Sequence, residues 1–194
     1  IKVIMASCYG VLGSEGCRFY DTRLSSSITK RGHQIIQQSS AWIEEHGYDV
    51  IYGDTDSVFV WLKKDVSADE ADSIGKSLAA GLNQWWQKRL RQEFAIESYL
   101  EMEYETHYRR FFMPSIRGEE TGSKKRYAGL ITNSAGDDEM VFKGLEAVRT
   151  DWTPLARRFQ RELYRRIFMQ ESYGDWLRTQ VNQLLNGELE HELV

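Results

Sequence analysis

The sequence predicts an α+β fold: an antiparallel sheet with helices packed on it, followed by an all-helical segment. Three observations lead there. Two long stretches, 22–46 and 67–94, repeat apolar residues at helical spacing. Short β-rich runs bounded by turn residues lie between and after them. Near residue 150 the β-rich character stops and only helical pattern remains. With 194 residues the chain is long enough for one domain, or two small ones, with a proper core.

In chain order, residues 1–8 are helix-compatible and stop at Tyr9-Gly10, with Gly13 and Gly16 loosening the connection. Over 22–46, Leu24, Ile28, Ile35 and Trp42 recur at spacings of three, four or seven, and Gly47 stands where a C-terminal cap belongs. A β-hairpin follows over 48–62. Ser67 with Glu70 reads as a capping box opening a helix to Phe94, with Ile74, Leu78, Leu82 and Trp85 on one face. Residues 100–105 alternate strictly and predict a strand: Leu100, Met102 and Tyr104 inward, Glu101, Glu103 and Glu105 outward. Residues 109–114 continue the sheet, 118–123 form a loop, 125–131 a strand, and 133–137 a turn into a strand through Met140 and Phe142. Beyond Asp151 two helices are expected, separated near 172–174.

Composition narrows the class. Two prolines and 41% hydrophobic residues argue against long disordered tails. Cys8 and Cys17 fit no metal spacing and are too few for a disulfide framework, so a reducing cytoplasm is the expected compartment. The apolar start is broken by Lys2 and Ser7 and has no basic leader, unlike a signal peptide. No run approaches the roughly 18 apolar residues of a membrane span. The net charge of −4 is not that of a DNA-coating protein, but the charge is segregated. From 143 to 166 seven basic residues (Lys143, Arg149, Arg157, Arg158, Arg161, Arg165, Arg166) face three acids, Glu146, Asp151 and Glu162.

The informative stretch is Tyr52-Gly53-Asp54-Thr55-Asp56-Ser57, at the tip of the predicted hairpin. Two carboxylates one residue apart repel each other and suit a shared hard cation. Magnesium takes one or two protein carboxylates and completes its shell with water and phosphate oxygens. The plainer account is a turn, because Asx side chains bond their own backbone there. The whole string resembles the Tyr-Gly-Asp-Thr-Asp-Ser motif of family B DNA polymerases, which carries catalytic carboxylates of the palm.

Three further stretches resemble the same family in the same order. Lys2, Ser7, Tyr9 and Gly10 match Lys-x-x-x-Asn-Ser-x-Tyr-Gly, with Ala6 in place of the usual Asn. On a helix Lys2, Ala6 and Tyr9 share a face, which fits either a triphosphate site or a surface lysine beside a half-buried tyrosine. Lys124-Lys125-Arg126-Tyr127 matches the Lys-Lys-Arg-Tyr motif that touches the primer strand near its 3′ end. By itself it reads equally as phosphate-binding charge on both faces of a strand or as a guarded edge. Lys143-Gly144-Leu145-Glu146, with Arg149 and Asp151, matches the segment at the passage from palm to thumb.

The resemblance implies a palm sheet and the start of a helical thumb, with boundaries 1–22 (end of the fingers helix and connection), 23–150 (palm) and 151–194 (thumb). It implies primer extension by two-metal phosphoryl transfer, in DNA repair and replication, near the nucleoid. Asp54 and Asp56 would be catalytic and hold two Mg²⁺ ions, Asp56 directly, with Glu105 as an added ligand. Lys2, Ser7 and Tyr9 would bind the nucleotide; Lys124, Lys125, Arg126, Tyr127, Lys143 and Arg149 would bind DNA. Expected partners are primer–template DNA, deoxynucleoside triphosphates, the remaining domains of a larger polymerase and a sliding clamp, and no membrane. A further palm aspartate would lie upstream, so this stretch alone is expected to be inactive. Two other classes share features with it: a Mn²⁺-dependent nucleotide-sugar glycosyltransferase using Asp-x-Asp, and a non-catalytic DNA-binding module. The first would want a nucleotide-binding βαβ pattern, which is not visible; the second leaves Asp54 and Asp56 idle.

Overall fold

In the computed structural model residues 2–54, 56–114, 125–133 and 135–193 are described, the side chains of 2–6 and of Asp54 excepted. The chain divides into two compact units, Ile1–Tyr104 and Glu105–Val194. Helix and strand are mixed and the strands pair antiparallel, as expected of an α+β protein.

The first unit contains α1 (Lys2–Leu12), α2 (Thr22–Glu45), the hairpin β1 (Asp49–Asp54) and β2 (Ser57–Trp61), and α3 (Ala68–Phe94). Asp21 caps α2 by accepting from Arg23 N at 2.9 Å. The Arg23 guanidinium on the same carboxylate draws the Asp21 pKa down to about 2. At the other end Gly47 takes φ +90°, a left-handed conformation that lets the chain leave the helix without a Cβ penalty. Ser67 Oγ accepts from Glu70 N at 3.2 Å, so α3 starts as predicted. The Glu70 carboxylate itself pairs with Lys64 Nζ at 2.7 Å.

The hairpin lies on a core of Trp42, Ile43, Leu82 and Trp86, against which Val50, Val58, Val60, Leu100 and Met102 pack. Burying each such large side chain contributes about 1.5–3 kcal/mol. The one buried polar side chain of this unit among the described residues, Ser39, accepts from Trp86 Nε1 at 2.9 Å, which satisfies the indole.

Two expectations in this unit are corrected. Helix α1 does not stop at Tyr9-Gly10 but runs to Leu12. A helical glycine costs only about 1 kcal/mol, and the Tyr9 hydroxyl ties α1 to α2 through Thr29 Oγ1 at 2.9 Å. Residues 100–105 form no strand. Their alternation is nonetheless real: Leu100 and Met102 enter the core, Tyr104 bonds Asp72 Oδ1 at 2.8 Å, and Glu101, Glu103 and Glu105 are exposed. What replaces the neighbouring strand is one amide side chain. Asn83 donates to Met102 O at 2.9 Å and accepts from Met102 N at 2.8 Å. Asn83→Ala is therefore expected to leave two half-buried backbone groups unpaired and to cost about 2 kcal/mol. Faster hydrogen exchange at the Met102 amide would register it; unchanged exchange would mean that water replaces the amide at no cost.

The second unit holds β3 (Arg110–Phe112), β4 (Tyr127–Thr132) and β5 (Asp138–Lys143) in the order β3-β4-β5, all antiparallel. A 3₁₀ turn over Glu146–Val148 leads to α4 (Pro154–Phe168) and α5 (Gly174–Leu185). Asn133 Oδ1 shapes the β4–β5 turn by accepting from Ala135 N and Asp137 N at 3.0 and 2.9 Å. Thr153 caps α4 with Pro154 directly after it, the usual proline position. Ala128, Leu130, Phe142, Leu145, Ala147 and Phe168 form the core.

Among the described residues the strands pair as two small antiparallel sheets, β1-β2 and β3-β4-β5. One correction applies here as well. Strand β4 begins at Tyr127, so Lys125 and Arg126 precede it and do not alternate across its faces; Lys125 has φ 77°. The loop expected over 118–123 lies outside the described residues.

Candidate active site

The hairpin positions its acidic tip through register. Gly53 pairs with Val58 and Asp54 with Ser57, which leaves two positions between the paired ends, Asp56 the second of them. Asp54 is thus the last paired residue of β1, and Asp56, exposed, stands on the turn. A bulge between Val50 and Tyr52 sharpens the local twist. The rings of Tyr52 and Phe59 sit 5.4 Å apart behind the tip. The backbone therefore keeps two aspartates two positions apart on an element anchored by core valines. The side chain of Asp54, and Thr55 altogether, lie outside the described set.

A hard-oxygen donor pair on an exposed turn fits Mg²⁺, which needs few protein ligands and keeps open positions for phosphate. Among the described residues no group of three His, Cys, Asp or Glu side chains comes together. Glu105 is exposed and opens the second compact unit, whereas Asp56 belongs to the first.

Of the nucleotide-site residues, Tyr9 is half-exposed and bonded to Thr29, and Ser7 is exposed. The Lys2 side chain lies outside the described set. Lys2 to Tyr9 do lie on one continuous helix, as their spacing requires.

In the second unit the cationic segment runs into the β-sheet. Lys124 lies outside the described residues. Tyr127 pairs opposite Lys143 across β4 and β5, so two residues expected to meet DNA are cross-strand neighbours. The Tyr127 ring packs edge-on to Tyr108 and 5.2 Å from Phe111. Burial, then the hydrogen bond with Tyr127, pushes the Tyr108 hydroxyl pKa up.

The arginines are not a free cationic row. Arg149 makes a two-pronged pair with Asp151, at 2.9 and 2.5 Å. Hydrogen bonding to each other raises the Arg149 pKa and lowers that of Asp151. Arg158 is held by Glu192 and Gln180, and Arg165 by Glu162 and Glu171. Arg166 pairs with Glu162, and Arg161 donates to Ala147 O. A cleft of about 580 Å³ opens along this face of α4, over Phe142 and Met140.

The sequence reading missed the partner of Arg126. Its guanidinium donates to Glu146 Oε1, and the Glu146 Oε2 accepts from Gln160 at 2.6 Å. Glu146 was visible as part of a motif; its partners, 20 and 14 residues away, leave no local signal.

Known proteins give the chain a setting. The sequence model for DNA polymerase family B matches residues 1–192. DNA polymerase II of Escherichia coli is 58% identical over the whole chain, which spans 24% of that enzyme. The DNA polymerase of Archaeoglobus fulgidus is 32% identical over 84% of the chain, 17% of its own length. The DNA polymerase delta catalytic subunit of Mesocricetus auratus is 33% identical over 87%, 15% of its own length. The chain thus spans at most about a quarter of the length of these relatives.

Proposed function

Because the chain belongs to DNA polymerase family B, we propose that it supplies palm carboxylates and primer contacts to a DNA-directed DNA polymerase similar to bacterial polymerase II. The observation that supports this reading is the hairpin register, which ends β1 at Asp54 and leaves Asp56 on the turn two residues later. The reaction joins a primer 3′ hydroxyl to the α-phosphate of a deoxynucleoside triphosphate, with pyrophosphate leaving. Asp56 would hold Mg²⁺ directly and Asp54 would support it, with Glu105 as an added ligand. Two such ions, when bound, stabilise the attacking and leaving oxygens.

The chain's other residues have separate tasks. Lys2 neutralises charge developing on the phosphates, and Tyr9 packs beneath the sugar while Ser7 lines the same site. Lys124, Lys125 and Tyr127 meet the primer strand, and Lys143 and Arg149 the duplex beyond it. The fingers, palm and thumb boundaries, 1–22, 23–150 and 151–194, describe functional regions of the larger enzyme. Repair and replication at the nucleoid are its setting, with a sliding clamp as partner. Among the described residues no helix is long and apolar enough to cross a membrane.

The test is incorporation of labelled deoxynucleotide by the full-length protein on a primed template, with and without Mg²⁺. Release of one pyrophosphate per nucleotide is expected. Turnover of a nucleotide sugar instead, or DNA binding with no incorporation under any divalent ion, would sink the assignment.

A further inference from the structure

Arg126 belongs to the segment expected to touch the primer strand, yet its guanidinium is engaged inside its own unit. We propose that Glu146 is a positioning residue for that segment: through Arg126 and Gln160 it fixes residues 125–127, and Arg126 serves this clamp instead of DNA. The proposal rests on the polymerase reading above.

The clamp gathers three pieces of chain. Glu146 Oε1 takes Arg126 Nη2, from just before β4. Its Oε2 takes Gln160 Nε2, from α4, at 2.6 Å. The same Gln160 accepts from Ala147 N at 2.6 Å, so the amide is used at both ends. Ala147 O in turn accepts from Arg161 Nε and Nη2 at 3.1 and 2.9 Å. The Glu146 side chain is 16% exposed and that of Arg126 40%, so the carboxylate end of the pair is sheltered while the guanidinium stays partly in water. Removing Arg126 leaves the sheltered Glu146 carboxylate with no cation and only the Gln160 amide.

The backbone shows what the clamp holds. Lys125 adopts φ 77°, a conformation that costs a non-glycine residue on the order of 1–3 kcal/mol and persists only where its surroundings enforce it. Gly144 lies directly on it: a Cβ there would stand 2.2 Å from Lys125 O. Glu146 follows two residues later. The side-chain clamp and the backbone contact together fix where residues 125–127 enter β4. A phosphate contact from Arg126 would require leaving Glu146, whose carboxylate would then face Gln160 alone.

The experiment uses the full-length polymerase with Glu146→Ala, Glu146→Gln, Arg126→Met and the Glu146→Ala/Arg126→Met pair. It measures KM for deoxynucleotide, Kd for primer–template, and the salt dependence of that Kd. Expected are Kd values raised about tenfold for each single alanine or methionine variant, nucleotide KM within about twofold, and a double variant no worse than either single. Glu146→Gln, which keeps an acceptor for Arg126, should fall between wild type and Glu146→Ala. The slope of log Kd against log salt should be unchanged in Arg126→Met, whereas losing a phosphate contact lowers it by about one. A lowered slope, tighter DNA binding by Glu146→Ala, or a thermal destabilisation with unchanged Kd would each overturn the proposal. Wild-type protein that fails to extend a primer sinks the polymerase reading instead, and the control shows this before any variant is compared.

Discussion

Asp56→Ala in the full-length polymerase is expected to lower kcat for primer extension by about a thousandfold or more, while primer–template Kd stays within about threefold. Asp56 stands on a two-residue turn, exposed, with no burial to account for its identity. Its expected contribution is made when charge builds on the transferring phosphoryl group, so its removal should act on kcat and not on ground-state DNA binding. A loss of about 4 kcal/mol of transition-state stabilisation corresponds to that factor. The turn alone offers a competing reason for an aspartate, namely local hydrogen bonding. Asp56→Asn separates them, because asparagine keeps the turn chemistry and loses the charge. Full activity in Asp56→Asn would mean that the carboxylate holds no ion. Asp54→Asn should lose less, since its expected role is to support the site.

How far the sequence revealed the molecule depended on how local each cause was. The hairpin was legible because an apolar run, a glycine-bearing acidic tip and a β-rich run all lie within fifteen positions of one another, as the pairing of Asp49 with Trp61 bears out; that the turn itself is only two residues long came from the register. The cap of α3 was legible for the same reason: Ser67 and Glu70 are three residues apart. Residues 100–105 carried a true periodicity, but their backbone partner is the side chain of Asn83, which no strand pattern announces. The arginines of α4 misled by composition. Counting acids only within 143–166 left out Glu171 and Glu192, which hold Arg165 and Arg158. Asp54 and Asp56 were singled out by motif and their backbone positions follow from the register, while the contacts of Glu146 needed three segments to fold before they existed.

Gly144→Ala is expected to cost the second unit about 3 kcal/mol, and to do so through two separable effects. Gly144 has φ +62°, where an alanine is disfavoured by about 1–2 kcal/mol. Its Cβ would also stand 2.2 Å from Lys125 O and 3.2 Å from the Lys125 carbonyl carbon. That neighbour is backbone entering β4, so relief requires shifting the strand against β5, where Tyr127 pairs with Lys143. Protection of the β4 and β5 amides against hydrogen exchange should fall by about a hundredfold, since each 1.4 kcal/mol is a factor of ten. Asparagine tolerates left-handed backbone but carries the same Cβ, so Gly144→Asn isolates the collision. If Gly144→Asn is nearly as costly as Gly144→Ala, the contact with Lys125 dominates. If either variant exchanges like wild type, the approach of Gly144 to Lys125 does not limit the stability of β4 and β5. The same shift would carry Arg126 away from Glu146, so Gly144→Ala should weaken primer–template binding in the way the clamp variants do, although no side chain of the clamp has been altered.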